Sequence, residues 1–583
     1  MIRVRNGNAV AAGAALLFLL PGCSGSDGGG PSSSHTLAVQ SGNGASAPVT
    51  QAVVLTVRVT DDSGAMESGV SISWSVTSGG GSITPKSTSD GSGLASATFT
   101  LGQAAGPQTA RASAGGTPVT FTVTAVAGPA TKLIKSTGDG QFGNVGTALA
   151  QPYAAEVEDQ YNNPVSGVKV AWSVSQGGGS LSADTSVSAA SGAATVVHTM
   201  GPAAGVQSAT ATAAGLTGSP LTFTATARSA FVVLGGGNNV PERYTSDLWV
   251  HGAYAYTGTW GFRAADGNSL KIWHLDAAGV PTLVDSVITP GIGTVSDVEV
   301  SSDGSLLIFG GERGGAPNNG NGVYLYSLAD PAHPAFIAKY LVSTGIHTAT
   351  FGYIGGKQYV FAAKDPSSPA LMVFEIAPAA ATPITLVSLV PVPANYGHHD
   401  TFVRDGIAFV CAWNTGVMIY DVGDGVLGGS PASPQLISSL VTPGGEVHNA
   451  WWFHNPVTGE KKYLFIGQEG PGAVGSASSG DIHVVDVSSL ATPHEVASYG
   501  MAAAGTHNFW MDESRQVLYA AYYNGGVVAL DVSGTLSGNL ASREIARMAP
   551  GGAGNTYVWG VMLANGHLYA SDMLSGLWEL NTP

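Results

Sequence analysis

The chain has 583 residues, 82 of them glycine, with only 10 % charged residues and a net charge of −16. So little charge and so much glycine excludes long solvated helices and suits short strands joined by tight turns. The acidic balance, with no cluster of Lys and Arg, excludes a grip on nucleic-acid phosphates.

At about 100–200 residues per domain, this length predicts three to five domains. Arg3 and Arg5 precede an apolar run, Ala9 to Leu20, that is too short to span a bilayer. Leu20-Pro21-Gly22-Cys23 closes the run, so residues 1–22 read as a secretory signal peptide. This ending resembles a bacterial lipobox, although Pro21 departs from the usual small residue. The resemblance implies lipidation at Cys23 and a membrane partner reached through the lipid anchor. Ser24 after the cysteine then implies an outer-membrane, cell-surface destination. A plain signal peptide cut nearby would instead leave Cys23 free. Residues 23–34 are rich in Ser and Gly and read as a flexible tether. The other cysteine, Cys411, sits in the apolar run IAFVCAW and reads as a small buried hydrophobe.

A repeat of about 98 residues follows. VTDDSGAMESGVSISWSVTSGGGSI (59–83) aligns with VEDQYNNPVSGVKVAWSVSQGGGSL (157–181), pairing Trp74 with Trp172. Apolar and polar residues alternate, as in strands half buried in a sandwich. The copies, 35–130 and 131–228, resemble the bacterial Ig-like group 1 (Big-1) domains of invasin and intimin-type surface proteins. That resemblance implies two β-sandwiches serving as a stalk. Asp61, Asp62 and Asp159 read as turn-stabilising residues rather than Ca²⁺ ligands.

From about residue 230 the composition changes: nine of eleven Trp and twelve of fourteen His lie beyond it. A unit of about 50 residues recurs seven times, each reading as four strands, as in 396–440 with IAFVCAW, GVMIYDV and QLISSL. Only six outer strands can be found after their units. The seventh must come from Phe231–Gly235, upstream of the first unit, which would close a ring and remove two exposed edges. Residues 230–583 are therefore predicted to form a seven-bladed β-propeller, and the whole chain is all-β. DIHVVDVSSLATPHEVASYG (481–500) and GVMIYDV (416–422) resemble LVIVD-repeat propellers, a resemblance that implies the fold and no particular chemistry.

Aligning the units places one residue per blade at the start of each innermost strand: Ser246, Ser296, His347, His399, His448, His507 and Val558. The next column reads Asp247, Asp297, Thr348, Asp400, Asn449, Asn508 and Trp559. Innermost strands line the central channel, so His347, His399, His448, His507, Asp247, Asp297, Asp400, Asn449 and Asn508 form the candidate ligand face. The loops 261–269, 312–321 and 470–480 surround the same face. Converging neutral imidazoles can ligate Zn, Cu or Fe, as four axial histidines do in carotenoid-cleaving oxygenases, an analogy of arrangement only. The alternative is that each His bonds backbone carbonyls of the neighbouring blade. His398, His454 and Lys364 read as loop residues, and an acidic column ending the third strands (His274, Ser327, Glu375, Asp421, Asp486, Asp531, Glu579) as turn-fixing. No nucleophile elbow, P-loop, H-E-x-x-H or C-x-x-C motif is present. The domain order predicts a non-enzymatic, envelope-anchored binding or adhesion protein for a glycan, peptide or protein. The alternative is a propeller metalloenzyme, an oxidoreductase or lyase, with metal at the four histidines.

Overall fold

A computed structural model of the chain describes residues 35–276, 280–312, 320–364, 368–393, 397–423, 425–470 and 479–583. The leader, Cys23 and the tether lie outside the described residues, as do 313–319 and 471–478 of the two longest channel loops. Among the described residues no helix is long and apolar enough to cross a membrane. The chain falls into two compact units: residues through Ala130 with Glu158–Val165, and Thr131–Val157 with Ser166–Pro583.

The first unit holds an Ig-like sandwich. One sheet is built on Ala52–Thr60 and Leu94–Thr100, the other on Val119–Val126, Gly106–Ser113 and Ser71–Ser78. Alternate residues of Ser71–Ser78 point inward, which buries Ile72 and Trp74. The Trp74 ring meets Phe121 at 5.7 Å, and its Nε1 donates to Ser87 Oγ at 2.8 Å. The Gly-Gly-Gly segment has a physical reason. A Cβ on Gly79 would lie 2.4 Å from Cγ of Gln108, a buried side chain that accepts from Gly102 N–H at 2.7 Å. Asp61 Oδ1 accepts from the N–H groups of Ser63 and Ala65, the turn role expected of it.

The second unit opens with a matching sandwich. Trp172 meets Phe223 at 5.6 Å and donates to Ser186 Oγ at 2.9 Å, and Gln207 takes the place of Gln108. In the same unit lies a seven-bladed propeller of four-stranded antiparallel sheets. Its innermost strands are Tyr244–His251, Thr294–Val300, Ala349–Ile354, Asp400–Arg404, Val447–Phe453, Phe509–Asp512 and Val558–Ala564. Blade 7 takes its outer strand from Val233–Gly236, with Val233 paired to Leu580 and Gly236 to Trp578. The strand begins two residues later than the sequence predicted. Phe231 is instead buried against the core of blades 6 and 7, beside Tyr519 at 6.4 Å. The sandwich meets blade 6 through Val206 N–H on Asp531 Oδ2 (2.6 Å) and Thr226 Oγ1 on Ser542 O (2.5 Å).

Candidate functional site

Successive side chains of a strand point to opposite faces, so two adjacent columns cannot both face the bore of a regular propeller. The start of each inner strand breaks that rule. In blade 2, Val295 pairs with Gly311 and Val298 with Phe309, leaving Ser296 and Asp297 opposite the single residue Gly310. Ser246 and Asp247 stand opposite Gly258 in the same way. In blade 3, His347 N–H donates to Ala363 O while Ala363 N–H donates to Thr348 O, both at 2.9 Å. His507 and Asn508 share Ala521, His399 and Asp400 share Cys411, and the register shifts at His448. Each is a β-bulge, which re-aims side chains. The residue opposite is small in these six blades: Gly258, Gly310, Ala363, Cys411, Gly467 and Ala521. A Cβ at Gly467 would lie 2.0 Å from Asn449 Oδ1. Blade 7 shifts at Trp559 and carries Asp572 at the corresponding place.

Three members of the first column, His347, His399 and His507, line one chamber of about 240 Å³, with His448 packed between His399 and His507. Ring centroids run His347 to His399 at 4.2 Å, His399 to His448 at 4.6 Å and His448 to His507 at 3.8 Å. Trp260 meets His347 edge-on at 5.7 Å, Trp559 covers His507 at 4.2 Å and Trp413 covers His399 at 4.8 Å. Two carboxylates reach in. Glu312 Oε1 lies 2.9 Å from His347 Nδ1, and Glu469 Oε2 lies 3.5 Å from His399 Nε2. The Tyr523 hydroxyl donates to Glu469 Oε1. His448 is 1 % exposed, and neither of its ring nitrogens has a hydrogen-bond partner. His507 Nδ1 and Trp559 Nε1 are likewise buried and unpartnered. Burial, and then the neighbouring imidazoles, hold His399, His448 and His507 well below the usual imidazole range, so all three rings are neutral at neutral pH. Two donor sets arise, His347–His399–His448 and His448–Glu469–His507, with ligand atoms within 4.8 Å of one another in each.

The second and fourth positions of the inner strands line another chamber, of about 220 Å³. The two chambers are one residue apart along the strands. Asp247, Asp297, Glu299 and Asp400 face this one, with Asn449 and Asn508 between them. Asn508 Nδ2 donates to Asp247 Oδ1 at 2.9 Å, Thr401 N–H to Asp400 Oδ1 at 2.7 Å, and Phe351 N–H to Glu299 Oε2 at 3.0 Å. Burial pushes Asp247 up to about 7 and Asp400 to about 6. Burial, reinforced by the neighbouring carboxylates, holds Asp297 and Glu299 well above the usual range. The wall is a run of aromatic rings: Trp249 to Trp510 at 6.0 Å, Trp510 to Trp451 at 5.4 Å and Trp451 to Phe402 at 5.3 Å.

Of the predicted face residues, His347, His399 and His507 line one chamber and Asp247, Asp297, Asp400, Asn449 and Asn508 the other. The alternative that each His bonds the backbone of the neighbouring blade describes His507, which bonds the backbone of Trp559; two serines of the column do the same, Ser246 Oγ donating to Val295 O at 2.6 Å and Ser296 Oγ to His347 O. It does not describe His448. His398 is tied to Ala370 O and Thr401 Oγ1, Lys364 donates to Ser368 O, and His454 meets Trp452 edge-on. Of the third-strand column, Ser327, Asp421, Asp486 and Asp531 accept from N–H groups of the following turn. Sequence reasoning missed Trp260, Glu312, Trp413, Glu469 and Tyr523. Each stands two residues beyond the small residue opposite a bulge. In blade 3 that position is Asp365, outside the described residues.

Comparison with protein families and with curated proteins by sequence gives no match. Among solved structures, the Escherichia coli adhesin FdeC is 23 % identical, over 32 % of this chain and 63 % of that one, with a TM-score of 0.23. This chain thus spans less than two thirds of that structure. The D0-D1 domain of intimin is 19 % identical, over 32 % of this chain and 94 % of that one, with a TM-score of 0.15. The Cps50 (Swd1) β-propeller domain of Myceliophteria thermophila is 10 % identical, over 58 % of this chain and 97 % of that one, with a TM-score of 0.41. These likenesses concern fold, Ig-like and propeller.

Proposed function

We propose that this chain is an envelope-displayed binding protein whose propeller channel is the recognition site, with a divalent transition metal held at His347, His399, His448 and His507. The observation that carries the reading is His448, almost wholly buried, flanked by His399 and His507, with both ring nitrogens unpartnered. A buried polar group without a partner is strongly disfavoured, and a metal ion satisfies it. Neutral imidazoles with a carboxylate beside them suit Zn²⁺, Cu²⁺ or Fe²⁺. Donors at about 2.1 Å from one tetrahedral ion stand about 3.4 Å apart, so donor atoms up to 4.8 Å apart close by as much as about 1.4 Å on binding. Glu312 on His347 supplies the outer hydrogen bond that fixes a ligand ring.

Metal analysis of the full chain, purified after expression with Zn, Cu and Fe, tests the reading. At least one transition-metal ion per chain is expected in the wild type, and near none in His448→Ala. A wild-type protein with no stoichiometric metal overturns the metal site. The envelope part of the reading rests on the leader and Cys23. Cys23→Ser is expected to move the protein out of the membrane fraction, and an unchanged fractionation removes the lipid anchor.

A further inference from the structure

The carboxyl chamber has an imbalance that the metal reading does not use. Its acceptors are abundant: the carboxyls of Asp247, Asp297, Glu299 and Asp400 project into one space of about 220 Å³. Asn449 Oδ1 and Asn508 Oδ1 add two further buried acceptors without a partner. Asn449 is 3 % exposed, and Asn508 has already committed its amide N–H to Asp247. Among the described residues lining the chamber there is no Lys or Arg. Four buried carboxyls without a cation are an arrangement that folding alone does not reward, since each must either carry an unpaired charge or hold a proton.

The wall limits what can answer that imbalance. Trp249, Trp510, Trp451 and Phe402 run side by side along it, and Phe351 adds a fifth ring. Aromatic faces attract organic cations held within about 6 Å of a ring centroid. A hard inorganic cation such as Ca²⁺ takes six to eight oxygens and gains little from rings. The acceptors call for N–H donors, which a quaternary ammonium lacks and a protonated amine has. Trp451 Nε1, buried and unpartnered, offers a donor that a ligand can use in return.

We infer that the chamber lined by Asp247, Asp297, Glu299, Asp400 and the Trp249–Trp510–Trp451–Phe402 wall binds a small organic molecule through a protonated primary amine. The ammonium group lies among the carboxyls and its carbon skeleton on the rings. The inference is independent of the metal.

Calorimetric titration of the full chain with phenethylamine, choline and CaCl₂ in parallel tests it, with tryptophan fluorescence as a second readout. Saturable binding of phenethylamine is expected, at least tenfold tighter than choline, with a change in tryptophan emission. Glu299→Gln and Asp297→Asn, checked for folding by circular dichroism, are each expected to weaken it tenfold or more. Binding is expected to be unchanged in metal-stripped protein and in His448→Ala, so that failure of the metal site leaves this result readable. No binding of phenethylamine at millimolar concentration to folded wild type overturns the inference. So does saturable CaCl₂ binding without amine binding, and so does equal loss of amine binding in His448→Ala.

Discussion

The histidine chamber and the carboxyl chamber are made from neighbouring residues of the same strands, yet one gathers neutral bases and the other gathers acids. His399 and Asp400 are adjacent in the chain, as are His507 and Asn508. Burial acts on both chambers and in opposite senses: it lowers the imidazoles and raises the carboxyls. The lesson lies in the bulge. Without it, alternation would send one of the two columns into the blade core, and a propeller of this size would carry one chemistry along its bore. With it, two columns diverge independently while the repeat persists behind them.

The sharpest way to break both chambers together is through ring closure. Phe231 anchors the strand that completes blade 7, and Phe→Ala in a core costs about 3–5 kcal/mol. Phe231→Ala is expected to lower the thermal midpoint by several degrees. Metal and amine binding should then be lost over the same temperature range. An unchanged midpoint would show that the seal depends on backbone pairing alone. A smaller change separates the chambers: His448→Ala is expected to reduce Zn²⁺ affinity about 100-fold, roughly 2.7 kcal/mol, while leaving the carboxyl chamber intact. Competition against a chromophoric chelator reads the loss directly.

The fold was open to sequence reasoning because its signals are periodic. The W-S-V strand and Gly-Gly-Gly loop mark each sandwich, and the missing seventh outer strand pointed upstream to the residues around Val233. The four histidines were found because they recur in register. Their separation from Asp247, Asp297 and Asp400 was not, because period-two alternation carries no sign of a bulge. The sign lay on the facing strand, in the small residues Gly258, Gly310, Ala363, Cys411, Gly467 and Ala521. Glu312 and Glu469 escaped for a related reason: Glu312 is the last residue of its strand, paired with Thr294, and Glu469 follows the last pair of its hairpin, so both lie where strand patterning ends. Cys411 was expected to be a small buried hydrophobe, and it is fully buried; its size is also what its place opposite His399 and Asp400 requires.

Gly467 shows what these small residues make room for. Its added Cβ would fall 2.0 Å from Asn449 Oδ1 and 2.8 Å from Thr506 Oγ1. Overpacking of this kind costs about 1–3 kcal/mol. Gly467→Ala is expected to destabilise by about 2 kcal/mol in urea unfolding and to weaken both metal and amine binding, since it displaces His448 and Asn449 together. Loss confined to one ligand would mean that the two columns move separately.

The smallest expected effect discriminates the chambers by pH. Asp247 is held at about 7 in the folded protein, against about 3.9 for a free aspartate. Between those values the folded state keeps a proton that the unfolded state has released. Raising the pH strips that proton, so this group makes stability fall from about pH 4 to pH 7, by at most about 1.4 kcal/mol per unit. The buried histidines act in the opposite direction, removing stability as pH falls below about 6.5. Asp247→Asn keeps an acceptor for Asn508 Nδ2 and has no proton to lose. It should therefore stabilise the protein by about 1 kcal/mol more at pH 8 than at pH 6, in paired urea titrations of metal-free protein. Equal effects at the two pH values would mean that Asp247 is ionised throughout, and that a neighbouring carboxyl carries the proton shared among the four.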